Sequence, residues 1–338
     1  MTTQVTVNRS SNLARAGIAT LPVVVVNAGE QTARRFVEFF TATIRNKNTR
    51  TAYAHAVSSF LAWCDERGLP LERIDSLAVA TYIEVLMADR SPPTVKQHLA
   101  AIRMCFDWLV SGGMLSVNPA WSVRGPKHVV KKGKTPVLSA KQARELLDSI
   151  SLATADPETG ALLPDLVGLR DRALIGTMVF SFARVGAVVK MDVKDYWQNG
   201  KRWWLRLHEK GGKHHEVPCH HNAEAYLDAY VAAAGIDAGE KKAPLFRTSY
   251  RRSGTLTANR MTTNDVLRMV KRRTKACGLP IGTCCHTFRA TGITAYLENG
   301  GTIENAQTIA AHESPRTTKL YDRTSDEITL DEIERIAI

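Results

Sequence analysis

The chain has 338 residues, room for two domains of ordinary size. Lys and Arg number 45 against 33 Asp and Glu, a formal charge of +12, and 44% of the residues are hydrophobic, enough for a buried core. The longest aliphatic run, at 23–26, falls far short of the ~20 residues of a membrane span, and the first residues lack a secretory apolar region. These features exclude an integral membrane protein, a secreted disulfide scaffold and a collagen-like or low-complexity chain, and lead us to expect a basic cytoplasmic protein.

Residues 1–28 read as a loose tail ending in a short apolar patch. From Gly29 a helical period places Phe36, Phe39, Phe40 and Ile44 on one face. Thr49 is the N-cap candidate of a second helix, with Tyr53, Val57, Phe60, Leu61 and Cys64 along its stripe and a stop at Gly68-Leu-Pro70. A third helix from about Leu77 carries Val79, Tyr82, Ile83 and Leu86. A fourth, after Ser91-Pro-Pro93, carries Val95, Leu99, Ile102, Phe106 and Leu109 and ends at Gly112-Gly113. Four amphipathic helices with short connections predict an all-α bundle over 29–122. Residues 123–137, with Gly125-Pro126, Gly133 and Pro136, read as a basic linker.

Ser139 is an N-cap candidate for a helix through Leu146, Leu147 and Ile150, and an apolar helix over 169–181 follows. The period then changes from 3.6 to 2. Segments 189–196, 203–208 and 215–219 read as three strands, with Asn199-Gly200 as a hairpin signal and Gly211-Gly212 at the next turn. From Asn222 on the pattern is mainly helical. The second domain, over 138–326, is therefore expected to be mostly α with a small three-stranded antiparallel sheet, an α+β unit.

Positive charge is concentrated in two stretches. Residues 124–134 hold Arg124, Lys127, Lys131, Lys132 and Lys134 with no acid. Residues 241–275 hold eleven Lys and Arg against Asp265 alone. Such clusters fit a phosphate backbone; a solvated face or an anionic membrane surface is the plainer alternative. Cys64, Cys105, Cys219, Cys277, Cys284 and Cys285 form no CxxC pair and read as reduced thiols. His214, His215, Cys219, His220 and His221 crowd a strand-to-helix corner, but no second ligand pair has zinc spacing, and we expect no metal there.

Five short pieces could carry chemistry: Arg184 at the end of an apolar helix, Lys210 and Lys213 in a hairpin turn, His286 with Arg289, His312, and Tyr321. Singly, each has a plain reading as a surface pair, a solvated turn or a half-buried core residue. Together they suit attack on a phosphodiester. A tyrosine hydroxyl supplies the nucleophile, two guanidiniums clamp the non-bridging oxygens, a lysine protonates the leaving oxygen and a histidine accepts the phenol proton. The second histidine can bond a phosphoryl oxygen. Two arginines can neutralise the developing charge without a metal.

This set, in this order, resembles the tyrosine recombinase (phage integrase) family. His-x-x-Arg is matched by His286 and Arg289, the later His and the Tyr nine residues on by His312 and Tyr321, the hairpin lysine by Lys210 in Glu209-Lys-Gly-Gly, and the first arginine by Arg184. Two positions depart from the pattern. The acid that usually follows the first arginine by three residues is Ala187 here, so Arg184 must be buttressed differently, and the residue before the second histidine, commonly Gly, is Ala311. Lys213 competes with Lys210; the strand-end position before the glycines favours Lys210.

The resemblance implies a SAM-like helical core-binding domain and a catalytic domain. It implies a site-specific recombinase of double-stranded DNA working through a 3′-phosphotyrosyl intermediate on Tyr321, with no cofactor, metal or ATP. Arg184 and Arg289 would stabilise the transition state with His312 assisting, Lys210 would be the general acid and His286 the proton acceptor. Partners would be a homotetramer on two duplexes and a directionality or DNA-bending factor. Lys127, Lys131, Lys132 and Lys134 are candidate phosphate contacts. Apolar positions Ile328, Leu330, Ile333 and Ile336 mark residues 327–338 as a C-terminal helix that docks on its own domain or on a neighbour. A type IB topoisomerase-like relaxing enzyme and a non-catalytic DNA-binding regulator are the alternatives. The separate helical domain and the full residue set weigh against them.

Overall fold

The structure, a computed structural model, describes residues 20–129, 133, 135–156, 158–209, 212–250, 253–322 and 334. The chain divides into two compact units, Met1–Val129 and Val130–Ile338. No helix among the described residues is long and apolar enough to cross a membrane.

The first unit is all helical: α1 (Val23–Asn27), α2 (Glu30–Glu38), α3 (Lys47–Asp65), α4 (Ser76–Asp89) and α5 (Pro92–Ser111). The apolar patch read as the end of a tail forms α1, because burying Val24 and Val25 against the bundle offsets the cost of ordering them. After α2 the chain widens into a π-helical turn over Phe39–Thr43, so that consecutive Phe39 and Phe40 both face the core beside Phe36. The cap of α3 is Asn46 rather than Thr49. The Asn46 side chain accepts from the backbone N–H of Asn48 and Thr49 at 3.0 and 3.2 Å, leaving Thr49 in the first turn. Asp75 caps α4, and Pro at the first turn starts α5. Phe60 on α3 packs edge-on against Tyr82 of α4 and Phe106 of α5. Arg103 of α5 donates to the carbonyls of Ala120 and Val123 at 3.1 and 2.6 Å, which ties the chain after α5 back onto the bundle.

The second unit opens with α6 (Ala140–Asp148), capped by a Ser139–Gln142 capping box. A short exposed hairpin, β1 (Ala153–Ala155) and β2 (Leu162–Pro164), leads to α7 (Leu166–Phe180). Nearly every residue of α7 from Gly168 to Val179 is buried. Glycines permit that: a Cβ on Gly176 would meet the Tyr226 ring at 2.7 Å, and one on Gly292 would meet the Val179 carbonyl oxygen at 2.1 Å. Tyr226 lies on α9 (His221–Ala233) and Gly292 on α11 (Cys285–Glu298), so α7 is flanked by both.

A helical turn α8 (Val185–Val188) precedes the sheet, ordered β3 (Tyr196–Asn199), β4 (Arg202–His208), β5 (His214–Pro218), all antiparallel. The expected first strand at 189–196 begins only at Tyr196. Val189, Met191 and Val193 are buried and alternate with exposed Lys190 and Lys194, as in a strand, but no ladder with β4 forms before Tyr196. Arg260 takes the carbonyls of Val189 and Met191, each at 2.8 Å, and the Asp192 carboxylate, while the backbones of Met191, Val193 and Lys194 bond those of Leu245, Ala243 and Lys241 rather than β4. The β3–β4 loop is Gly200-Lys201, with Gly200 at φ +61°. A second unexpected hairpin pairs β6 (Arg247–Ser249) with β7 (Leu256–Arg260), with a bulge between Arg247 and Ser249. Then come α10 (Thr263–Ala276), α11, α12 (Ile303–Ile309) and α13 (Pro315–Lys319).

Much of the basic stretch over 241–275 works inside this unit. The fully buried Asp171 of α7 accepts from Arg170 and from Arg272 and Arg273 of α10, and Arg247 pairs with Glu240. The histidine corner is likewise structural. His215 bonds the Ile309 carbonyl at 3.0 Å, and His220 accepts from Asn222 N–H at the start of α9 while stacking on Phe180.

Candidate active site

Helix α11 starts at Cys285 and so places His286 in its first turn and Arg289 one turn further on the same face. Arg289 is 1% exposed. Its Nη1 donates to the Phe182 carbonyl and its Nη2 to the Ala310 carbonyl at 2.6 Å, while the buried Nε has no hydrogen-bond partner among the described residues. Each anchor lies at or next to a residue with positive φ, although Ala310 itself is right-handed helical. Phe182, at φ +55°, ends the turn after α7, and Ala311, at φ +47°, follows Ala310.

Ala311 closes α12. Its N–H bonds the Thr308 carbonyl and the His312 N–H bonds the Gln307 carbonyl, both at 3.0 Å, the paired bonds of a Schellman motif with alanine where glycine is usual. The motif delivers His312 to the site. Its Nδ1 pairs with the Thr318 hydroxyl at 2.9 Å, and its ring lies parallel to that of Tyr321, with centroids 5.7 Å apart. Pro315 starts α13, which carries Thr318 and leads into Tyr321. The Thr294 hydroxyl of α11 donates to the Tyr321 carbonyl at 2.9 Å, and the Tyr321 hydroxyl reaches His286 Nε2 at 2.5 Å.

Arg184 is the N-cap of α8, and its Nη1 donates to Glu209 Oε2 at 2.6 Å at the end of β4. The sequence left a gap at Ala187, and Glu209 supplies the missing acid from another element. Lys213 lies on the surface, paired with Glu313 at 3.3 Å. Lys127 is exposed in the first unit. Lys210, Lys131, Lys132 and Lys134, and residues 327–338 apart from Glu334, lie outside the described residues.

Arg184, His286, Arg289, His312 and Tyr321 are thus one electrostatic cluster. Burial, then the Arg289 and Arg184 charges and His286, push His312 down to about 3. Burial and the same two arginines hold His286 below its usual value. Burial and Arg184 lower Arg289 to about 10. For Tyr321, burial raises the pKa in spite of the opposing pull of Arg289 and Arg184. At neutral pH both imidazoles are therefore uncharged, and a neutral His286 faces a protonated phenol across a short hydrogen bond. The cluster offers a nucleophile, a proton acceptor and guanidinium N–H groups for an oxyanion. Sequence reasoning missed Glu209, Thr318 and Thr294. The only advance signal was the vacancy at Ala187.

The chain matches the model of the phage integrase family over residues 137–327 and that of the phage integrase N-terminal SAM-like domain over 34–113. It is 28% identical over 285 residues to tyrosine recombinase XerC of Mycobacterium sp. (strain KMS), covering 82% of this chain and 88% of that protein. It is 25% identical over 283 residues to tyrosine recombinase XerD of Listeria innocua serovar 6a, covering 81% and 87%. Among solved structures, XerH site-specific recombinase bound to a palindromic difH substrate in a post-cleavage complex superposes with a TM-score of 0.66 at 17% identity, covering 96% of this chain and 87% of that one. A lambda integrase tetramer bound to a Holliday junction gives 0.63 at 17% identity, covering 96% and 89%. At those identities the structural likeness is one of fold. With more than half of its length matched by the family model, the chain belongs to the phage integrase family, the tyrosine recombinases.

Proposed function

We propose that the protein cuts and rejoins double-stranded DNA at specific sites through a covalent 3′-phosphotyrosyl intermediate on Tyr321. The observation that carries this reading is the 2.5 Å contact between the Tyr321 hydroxyl and His286 Nε2, beside the guanidiniums of Arg289 and Arg184. The phenol oxygen attacks the scissile phosphorus as its proton passes to His286, and the bond from phosphorus to the 5′-oxygen breaks. Lys210 protonates the departing 5′-oxygen. Arg289, through its unpartnered Nε–H, and Arg184 take up the charge on the non-bridging oxygens. His312, held at Nδ1 by Thr318, presents Nε2 to the same oxygens. Attack by a partner strand's 5′-hydroxyl releases Tyr321 and reseals the backbone. The phosphodiester's energy is kept in the covalent link, so the cycle runs without ATP, and the two guanidiniums stand where a metal would otherwise neutralise charge.

In this reading residues 29–122 form the core-binding domain, 123–137 a basic linker, 138–326 the catalytic domain and 327–338 the C-terminal segment that links protomers. Four protomers act on two duplexes, with a directionality or DNA-bending factor as a further partner. The tetrameric likeness noted above supports that stoichiometry. Sequencing the DNA junctions formed in cells carrying the gene defines the site. A nicked duplex of that site, incubated with the protein in EDTA and without nucleotide, is expected to trap a covalent protein–DNA adduct. Reciprocal exchange between two such sites is expected in the same buffer. Relaxation of supercoils without exchange, or adduct formation only with added metal, would contradict the proposal.

A further inference from the structure

The first arginine of the site has no acid in its own helical turn. Val185, Gly186, Ala187 and Val188 make up α8, and Ala187 is 2% exposed. The carboxylate that holds Arg184 comes instead from Glu209, 8% exposed, where β4 ends, and the Glu209 N–H is itself fixed on the Lys213 carbonyl at 2.9 Å. Two guanidiniums in one cluster repel one another when no phosphate lies between them. A buried carboxylate on one of them opposes that repulsion and fixes the plane of its fork. The bond uses Nη1, the one Arg184 nitrogen that is hydrogen-bonded among the described residues, which leaves the rest of the fork for an incoming phosphate.

We infer that Glu209 is a positioning residue for strand cleavage, acting through Arg184 by aiming its guanidinium at the scissile phosphate. The inference rests on the function proposed above and adds to it a residue outside the set that bears the chemistry. Glu209 touches no reacting atom. A carboxylate beside a phosphate site repels DNA, so its removal should separate binding from cleavage: affinity is unchanged or tighter, and cleavage is slower.

Glu209→Gln, which keeps size and removes charge, tests this on the nicked duplex carrying either the natural phosphate or an uncharged methylphosphonate at the scissile position. On the phosphate, adduct formation is expected to slow about 10–100-fold, the scale of a misplaced group, with DNA affinity no weaker than wild type. On the methylphosphonate, which needs no second guanidinium to neutralise it, the variant should nearly match wild type. That arm also shows that the variant is folded. Equal losses on both substrates would make Glu209 merely structural, and no loss on the phosphate would remove its role. Rescue by a 5′-bridging sulfur, which leaves without protonation, would place the defect in the proton donor on the hairpin, and each of these three results overturns the inference. Failure of the wild-type protein to form any adduct would instead overturn the proposed function.

Discussion

Ala311 occupies a backbone conformation in which an L-residue's Cβ crowds the neighbouring carbonyl, at a cost of about 1 kcal/mol. The Schellman bonds and the seating of His312 hold it there. Ala311→Gly is therefore expected to raise unfolding stability by up to about 1 kcal/mol in urea titration while leaving cleavage intact. The histidines give a pH signature of definite sign. His312 and His286 both titrate lower in the folded protein than in the unfolded chain. As pH falls below about 6.5, the unfolded chain takes up protons that the folded site refuses. Stability is full above that value and declines below it, for His312 over the whole window down to about 3, by at most about 1.4 kcal/mol per pH unit per group. Urea midpoints measured from pH 7.5 to 5 should fall, and His312→Gln should flatten the profile. At this scale His286, Arg289, His312 and Tyr321 were legible, because each lies in a short motif whose spacing survives in the sequence. Glu209 was not, because its contact with Arg184 joins a strand end to a helical turn that sequence spacing does not bring together.

The elements that position the site depend on α7 approaching α11 at a distance only glycine allows. Gly292→Ala would drive a Cβ to within 2.1 Å of the Val179 carbonyl oxygen. We expect a loss of about 1–3 kcal/mol, the usual cost of overpacking, seen as a lower thermal midpoint. Cleavage should fall with it, because α11 carries His286 and Arg289 and its Thr294 holds the Tyr321 backbone. The long helices were readable from their 3.6-residue stripes and their caps. Most of the segment 189–196 was misread as a strand, because its burial does alternate while its backbone bonds go to residues 241–245, a pairing that, like the internal use of Arg260, left no trace in the sequence. The hairpins β1–β2 and β6–β7 have strands of three to five residues, too short for alternation to register.

Over the whole molecule, the net charge of +12 overstates what is free to meet a polyanion. Arg170, Arg247, Arg260, Arg272 and Arg273 are engaged with carboxylates and carbonyls of their own unit. The linker lysines Lys127, Lys131, Lys132 and Lys134 carry the sharper expectation. Replacing all four by alanine should lower the slope of log affinity against log salt by about 0.9 for each phosphate that they neutralise, with sequence preference unchanged. An unchanged slope would make them a solvated tether. The division into two units was legible because the basic stretch at 123–137, with its Gly and Pro and no apolar period, interrupts the helical stripes, and the family because its motifs fall in order along the second. Tyr321 is the residue on which the whole reading turns, and its test is direct. Tyr321→Phe removes one oxygen from a ring held by His312 and α11, so folding and DNA binding should persist while the covalent adduct on the nicked duplex disappears; an adduct of undiminished yield in Tyr321→Phe would contradict the assignment of the nucleophile and with it the proposed chemistry.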